Sequence, residues 1–265
     1  MIKIGDLNIN KLCVGDSEVS KVYLGDTEVY SSGPAPEPAY SAMPLTFEII
    51  SGGTISWWAS NFSYTKEIFY SVNDGEWTSI VSTSEGTPIN LSTGDIVKFK
   101  GDGPANQSSR KQNSFRNGTI VFNVYGNIMS LIDSTGYTTA TTLSNFSFGE
   151  LFYGQTGLIS AEHLILPATT AYICYQNTFA GCTSLTKAPA LPATALATQS
   201  YDGMFINCSN LNYIKCLATD ISADRCTNSW VSGVAASGTF IKDASMTGWT
   251  TGASGIPSGW TVQDA

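Results

Sequence analysis

The segment TFAGCTSL at residues 178–185 decides the fold of this chain, because it returns 26 positions later as MFINCSNL at residues 204–211. The phenylalanine, the cysteine and the final leucine occupy the same places in both copies. A more divergent copy, LFYGQTGL at residues 151–158, precedes the first by 27 positions. A second repeated segment lies between the copies, as LPATT at 166–170 and LPATA at 191–195. The spacing predicts that this part of the chain folds as a stack of similar coils.

A repeat of this length, with leucines at fixed offsets and a Cys or Asn between them, is typical of leucine-rich solenoids. Each unit buries its apolar face only against its neighbours, so such a chain grows in one dimension. We therefore predict a solenoid over residues 126–225 and, where the pattern decays, a C-terminal cap over residues 226–265. A stack of coils builds an extended surface, which favours binding over catalysis.

The unit Phe-x-x-Cys-x-x-Leu, followed by Leu-Pro-Ala-Thr, resembles the BspA-like leucine-rich repeats. These repeats occur in surface and phage-associated proteins of gut anaerobes. The resemblance covers residues 146–223, about a third of the chain. It implies a role in adhesion or recognition and says little about the ligand.

The composition argues against several classes of partner. Charged residues make up 13% of the 265 residues, against an ordinary share of about 25%. The net charge is −8, which argues against nucleic acid as the main partner, because phosphate binding needs a basic surface. No apolar run of about 18 residues occurs, so membrane insertion is not predicted. The residues after Met1 hold no apolar signal segment, so either a signal peptide was removed or the protein is assembled in a cytoplasm. Because Met1 opens an in-phase repeat, described below, we favour assembly in a cytoplasm.

The cysteines are predicted to be buried free thiols, which pack as small apolar side chains. Two of them occupy equivalent repeat positions, where a leucine-rich repeat places its Cys or Asn inside the turn. Three disulfides are the alternative. No Cys-x-x-Cys or Cys/His spacing indicates a bound metal, and no cofactor is predicted. The six residues are Cys13, Cys174, Cys182, Cys208, Cys216 and Cys226.

Residues 1–30 carry a different repeat, in which the dipeptide Gly-Asp returns every ten positions at residues 5, 15 and 25. A glycine at the first centre of a two-residue turn favours a type II′ hairpin, so we predict a small β-meander or β-prism leg. The segment resembles N-terminal pieces of phage tail and head-fibre proteins. Short strands have little core of their own, so we expect residues 1–30 to contact other virion proteins or sister chains, a trimer being favoured. A free-standing hairpin cap is the alternative.

Residues 31–39 form a predicted Pro-rich linker, and residues 40–125 a predicted β-sandwich. Apolar residues alternate at Leu45, Phe47 and Ile49, and Asn-Asp-Gly at residues 73–75 indicates a hairpin turn. About seven short strands favour an immunoglobulin-like sandwich, although the Cys-Trp-Cys pattern of that family is missing. The predicted fold class is therefore mainly β: meander, sandwich and solenoid.

Catalysis is not predicted. The chain has one histidine, His163, within a repeat segment, and a lone histidine beside apolar residues is ordinarily a packed or surface residue. No nucleophile elbow, P-loop, dinucleotide fold motif or zinc-protease motif is present. A pair of glycosidase carboxylates forms only in three dimensions, so that possibility stays open.

Two groups of residues are candidates for ligand binding. Aromatic residues of the predicted sandwich, Trp57, Trp58 and Trp77, offer a platform for the apolar faces of sugars, with core packing as the alternative. Adjacent tryptophans in a strand face opposite sides, so one of Trp57 and Trp58 is expected in the core. The second group is basic and suits an acidic glycan or an assembly partner, with a solvated rim loop as the alternative. It comprises Lys98, Lys100, Arg110, Lys111 and Arg116.

These observations favour a non-enzymatic phage virion protein, a structural or fibre protein that mediates attachment or recognises a host-surface glycan or protein. The alternative is a bacterial cell-surface adhesin or glycan-binding protein with BspA-like repeats. A glycoside hydrolase accessory module is a third hypothesis, of a different class. The predicted location is the virion, or the bacterial surface under the alternative.

Overall fold

The computed structural model describes residues 39–60, 64–103, 106, 108 and 112–265 in full and, before residue 32, the backbone of short strands. The chain divides into two compact units, Met1–Ala39 and Tyr40–Ala265. The described residues are mainly β, which confirms the predicted class, and their helical segments are short 3-10 turns at Tyr40–Ala42 and Ile128–Leu131. The predicted linker lies largely outside the described residues.

The described part of the N-terminal unit contains short antiparallel strand pairs. Each pair brackets one Gly-Asp dipeptide, with the last residue before it opposite the first residue after it: Ile4 opposite Leu7, Val14 opposite Ser17, and Leu24 opposite Thr27. Among the described strands, each pairs with the other strand of its own hairpin. The predicted β-meander or β-prism leg stays a prediction. They are β1 (Ile2–Ile4), β2 (Leu7–Ile9), β3 (Cys13–Val14), β4 (Ser17–Glu18), β5 (Lys21–Leu24) and β6 (Thr27–Ser31).

The second unit begins with two sheets that face each other. The larger sheet has the strand order β10-β9-β12-β7-β14-β15, and the smaller sheet has the order β11-β8-β13. The larger sheet contains β7 (Leu45–Ser51), β9 (Glu67–Val72), β10 (Thr78–Val81), β12 (Ile96–Lys100), β14 (Val121–Asn127) and β15 (Leu158–Ile165). The smaller sheet contains β8 (Gly53–Ala59), β11 (Thr87–Leu91) and β13 (Asn113–Arg116).

Aromatic rings fill the space between the sheets. The ring of Phe47 on β7 lies 4.6 Å from that of Phe99, 4.9 Å from Phe115 and 4.8 Å from Phe122. Phe115 belongs to the smaller sheet, so these contacts join the two layers. The predicted alternation along β7 holds for its apolar residues, but Thr46 is fully buried as well. Its hydroxyl donates to the Pro44 carbonyl (2.8 Å), on the face opposite the core.

The predicted hairpin turn at residues 73–75 is confirmed. Asn73 and Asp74 both adopt left-handed backbone, with φ of 53° and 58°, as type I′ turns require. The Gly75 amide donates to the Val72 carbonyl (2.9 Å), and β9 and β10 pair antiparallel on either side. The turn places Trp77 at the edge of the larger sheet.

Strand β14 connects the facing sheets to the repeat region. It pairs antiparallel with β7 on one side and parallel with β15 on the other, so the predicted boundary at residue 125 falls inside a strand. The parallel ladder continues from β15 through bridges at Lys187 to β16 (Tyr213–Cys216). Strands β17 (Thr239–Lys242) and β18 (Thr261–Asp264) extend it in parallel.

The repeat copies stack so that equivalent residues lie above one another. The amides of Phe152, Phe179 and Phe205 donate to carbonyls one coil further on, at 2.8, 3.0 and 2.8 Å. Their rings are fully buried and stacked, with centroids 5.4 Å and 5.5 Å apart. The thiols of Cys182 and Cys208 donate to the carbonyls of Phe152 (3.1 Å) and Phe179 (3.0 Å). The repeated side chains therefore form common inward columns, as the spacing predicts.

The column of rings continues through residues 226–265. Trp230 stacks on Trp249 at 5.6 Å and meets the edge of Phe240 at 6.1 Å. The indole of Trp230 donates to the Gly255 carbonyl (2.8 Å), and that of Trp260 donates to the Ala235 carbonyl (2.7 Å). The C-terminal segment thus extends the stack while the sequence repeat fades.

Each coil bends at residues with left-handed backbone, spaced four positions apart. In the first copy they are Phe146, Glu150 and Gly154, with φ of 67°, 57° and 72°. The same three places recur in each later copy, whichever residue occupies them. The later sets are Ile173, Asn177 and Gly181; Gln199, Gly203 and Asn207; and Arg225, Ser229 and Gly233.

Replacement of Gly154 tests this geometry. An added Cβ would meet no atom within 4 Å, so the cost of Gly154→Ala is the left-handed backbone alone, about 1 kcal/mol in the free energy of unfolding. Gly154→Asn should cost less, because Asn tolerates this conformation and occupies the equivalent place at residue 207. Gly149→Ala, in the same coil without positive φ, is the matched control. Urea unfolding gives the three values, and equal costs for Gly154→Ala and Gly149→Ala would contradict the geometry.

The five described cysteines are buried free thiols, as predicted, and Cys13 lies outside the residues whose side chains are described. Burial raises the pKa of Cys174, Cys208 and Cys216 to about 12, because the apolar interior disfavours a thiolate. The ordinary value is 9.0, so the unfolded chain ionises first. The stability that these thiols contribute is fully present below pH 9 and is lost as pH rises toward 12.

We therefore expect the free energy of unfolding to fall above pH 9 and to fall less steeply in Cys208→Ala. The slope should differ from wild type by one proton, about 1.4 kcal/mol per pH unit. Thr183→Ala, an exposed neighbour without a titrating group, should keep the wild-type slope. Urea unfolding at a series of pH values provides the slopes. Identical slopes for Cys208→Ala and wild type would rule out a buried, neutral Cys208.

Candidate functional site

The structure separates the predicted ligand-binding residues into a core residue and two surface clusters. Trp57 is fully buried, and its indole donates to the Lys66 carbonyl (2.8 Å), while Trp58 is half-buried. This confirms that one of the adjacent tryptophans belongs to the core. Arg110 and Lys111 lie outside the described residues.

The first cluster lines a groove of about 270 Å³ on the outer face of the larger sheet, which we name the Trp77 groove. It brings together three predicted residues, Trp77, Lys98 and Lys100. Lys98 and Lys100 alternate along β12 with the buried Val97 and Phe99, so both face outward. The remaining lining residues are Pro44, Ser71, Asp74, Gly75, Ser134 and Tyr137.

The two lysines of the Trp77 groove have different surroundings. Lys98 forms an ion pair with Asp74, whose side chain is 77% exposed. The Lys100 ammonium lies 4.1 Å from the centroid of the Trp77 ring, a cation–π contact, and Trp77 is 39% exposed. Among the described carboxylates, none forms an ion pair with Lys100. The groove therefore presents an aromatic surface and an ammonium with no carboxylate bonded to it.

Hydrogen bonds hold the walls of the Trp77 groove in place. The Tyr137 hydroxyl donates to the Ala42 carbonyl (2.9 Å), and the Ser71 hydroxyl donates to the Gly75 carbonyl (2.6 Å). Burial raises the pKa of Tyr137, and the nearby Lys98 charge opposes this rise, so Tyr137 stays a neutral donor at neutral pH. These bonds give the groove a defined shape without a ligand.

The carboxylate of Asp102 is bonded to Ser134, one of the residues that line the groove. Asp102 accepts the Ser134 amide (3.0 Å), and this bond is the main reason why the pKa of Asp102 is lowered; the charges of Lys66 and Lys100 lower it further. The Lys66 ammonium donates to the Gly103 carbonyl (2.8 Å). Asp102 thus stays ionised at neutral pH, and its carboxylate accepts a hydrogen bond from the backbone of Ser134.

The second cluster lies where the smaller sheet meets the first repeat coil. The Arg116 guanidinium carbon lies 4.3 Å from the centroid of the Trp58 ring and 4.8 Å from that of Tyr153. Arg116 also forms an ion pair with Glu150, and its Nε donates to the Ser114 hydroxyl (2.9 Å). Each of these partners belongs to the same chain, so Arg116 joins β13 to residues 150–153.

Sequence reasoning missed Asp74, Tyr137, Glu150 and Tyr153. The Asn-Asp-Gly turn was a usable signal for Asp74, since a turn at residues 73–75 places it beside Trp77. The other three come from segments distant in sequence, and only the tertiary fold brings them to the clusters. His163 is a packed residue whose ring stacks on Tyr40 with centroids 4.4 Å apart.

Comparison with protein families, with curated proteins and with solved structures finds no match for this chain. Within the part of the chain that the structure describes, no helix has the length and apolar character needed to span a bilayer.

Arg116→Met should lower the free energy of unfolding by about 2 kcal/mol, because it breaks charged hydrogen bonds of a half-buried group and leaves Glu150 without its cation. Lys187→Met is the matched control, since it breaks the more exposed Lys187–Glu162 pair and should cost less than about 1 kcal/mol. Urea unfolding compares the two variants. Equal, small costs would show that Arg116 has no structural role at the junction.

Proposed function

We propose that this chain is a non-enzymatic attachment protein, a structural or fibre protein of a phage virion that recognises a host-surface glycan or protein. In this proposal residues 146–223 are BspA-like leucine-rich repeats within a solenoid, and the two facing sheets are an immunoglobulin-like sandwich. Residues 1–30 contact other virion proteins or sister copies in a trimer. The location is the virion.

The observation that carries the proposal is the filled interior of the Tyr40–Ala265 unit. Fully buried rings stack from Phe115 through Phe152 and Phe179 to Phe205, and Phe47 packs against Phe152 at a tilt. A column of this kind uses the interior for stability, and the Trp77 groove lies on its outside. Such an architecture suits a rigid body that presents an extended surface for binding.

The separate N-terminal unit supports a role in assembly. Its described strands are two to five residues long, and each pairs within its own hairpin. Two-stranded sheets of this size are marginally stable alone in water, so partners that supply more surface would stabilise them. Several copies held together would also multiply weak single contacts with a host surface through effective concentration.

Light scattering of the full chain tests the assembly role. We expect a mass three times that of one chain, because the hairpins of residues 1–30 associate with sister copies. A monomer at micromolar concentration would contradict the trimer and favour a bacterial cell-surface protein.

A glycan array tests recognition. The full chain should retain at least one class of surface glycan, and incubation with the retained glycan should release no reducing sugar. Release of sugar would contradict the non-enzymatic role and favour a glycosidase. Retention of no glycan and no binding to host cells would contradict recognition itself.

A further inference from the structure

The Trp77 groove carries positive charge in an acidic chain. The chain has 13 basic and 21 acidic residues, yet Lys98 and Lys100 lie two positions apart on one strand and line one groove. Asp74 offsets only one of these charges, because it pairs with Lys98. Among the described residues, the ammonium of Lys100 is therefore the one in the groove that forms no ion pair.

The nearby carboxylate of Asp102 does not form an ion pair with Lys100. It accepts the Ser134 amide and lies close enough to Lys100 for their charges to interact, but the two side chains form no ion pair. Lys100 instead contacts the Trp77 ring, which leaves its ammonium able to bond an incoming anion. A half-buried ammonium binds an anion more strongly than a fully solvated one, since fewer waters screen the charge.

Trp77 supplies the second part of a carbohydrate site. Its ring is partly exposed at the groove and can pack against the C–H groups of a sugar. The hydrogen-bonded walls at Tyr137 and Ser71 keep the groove open in the free protein, so little ordering is needed on binding.

We infer that the Trp77 groove binds one anionic sugar unit, with Trp77 against the sugar ring and Lys100, aided by Lys98, at its carboxylate or sulfate. This inference rests on the proposed recognition role and names the ligand class for it. The volume of about 270 Å³ lies just below the range of roughly 300–1,000 Å³ typical of drug-sized ligands, which fits a single sugar ring. The acidic remainder of the chain would repel long polyanions that lack a well-placed sugar.

Calorimetric titration of the full chain with trigalacturonate, its methyl ester and a sulfated disaccharide tests the inference. The methyl ester keeps the sugar rings and removes their charge. We expect at least one anionic probe to bind and the ester to bind about tenfold more weakly or not at all, the effect of losing a charged hydrogen bond. Binding should weaken as ionic strength rises. Equal binding of the acid and its ester, or no binding of either anionic probe, would overturn the inference.

Variants locate the site. Lys100→Met removes the ammonium and keeps most of the side chain, so affinity should fall about tenfold or more. Lys187→Met removes the same charge from an exposed residue outside the groove and should leave affinity unchanged. Trp77→Ala should also abolish binding, and far-UV circular dichroism checks that each variant folds. Equal affinity of Lys100→Met and Lys187→Met for the anionic probe would show that the probe does not bind in the Trp77 groove.

Failure of this inference differs from failure of the proposed function. If the wild-type chain retains neutral glycans on the array and ignores the anionic probes, recognition stands and the anionic ligand is wrong. If it retains no glycan and binds no host cell, the recognition role itself is wrong.

Discussion

The stacking of Phe152 between two parts of the molecule is the interaction on which the rest of the structure depends. Its ring lies 5.9 Å from Phe115 of the smaller sheet and 5.4 Å from Phe179 of the next coil. The buried Phe152 ring therefore contacts both the core of the facing sheets and the column of rings in the repeats. Because a coil buries its apolar side only against a neighbour, the first coil needs such a surface, and the sheets provide it.

The backbone makes the same connection through β14 and β15. Parallel strands leave hydrogen-bonding groups at the free edge, and β15 presents its edge to the bridge at Lys187 and to the coils beyond. The β-ladder and the aromatic column are therefore both continuous from the two facing sheets into the stacked repeat coils. Arg116 adds a third connection through Glu150 and Tyr153, at the same junction. These contacts explain why residues 40–265 form one compact unit.

Because this continuous packing fills the interior, a ligand would contact the outer surface of the molecule. At the junction Arg116 and Glu150 pair with each other, whereas in the Trp77 groove Lys100 forms no ion pair among the described residues and Trp77 is partly exposed. The difference arises from position, because Trp58 and Arg116 meet the first coil, while Trp77 follows a hairpin turn at the edge of the larger sheet. The same residue types therefore stabilise the fold in one place and are available to a ligand in the other.

The amino-acid sequence by itself determined the mainly β class, the 26-residue spacing, the inward columns at Phe179 and Cys182, and the hairpin turn at residues 73–75. These features follow from local patterns: periodic apolar residues and turn residues with a preferred backbone. Only the tertiary structure decided that β14 pairs with β15, that the stack extends past residue 226, and that Ile173 adopts left-handed backbone. A β-branched residue avoids that conformation by itself, and the bond from its amide to the Thr198 carbonyl (3.2 Å) ties it to the next coil. The sequence also could not predict that Trp58 lies at the junction with the first coil while Trp77 lies in the groove. Long-range packing determines which side chains the coils cover.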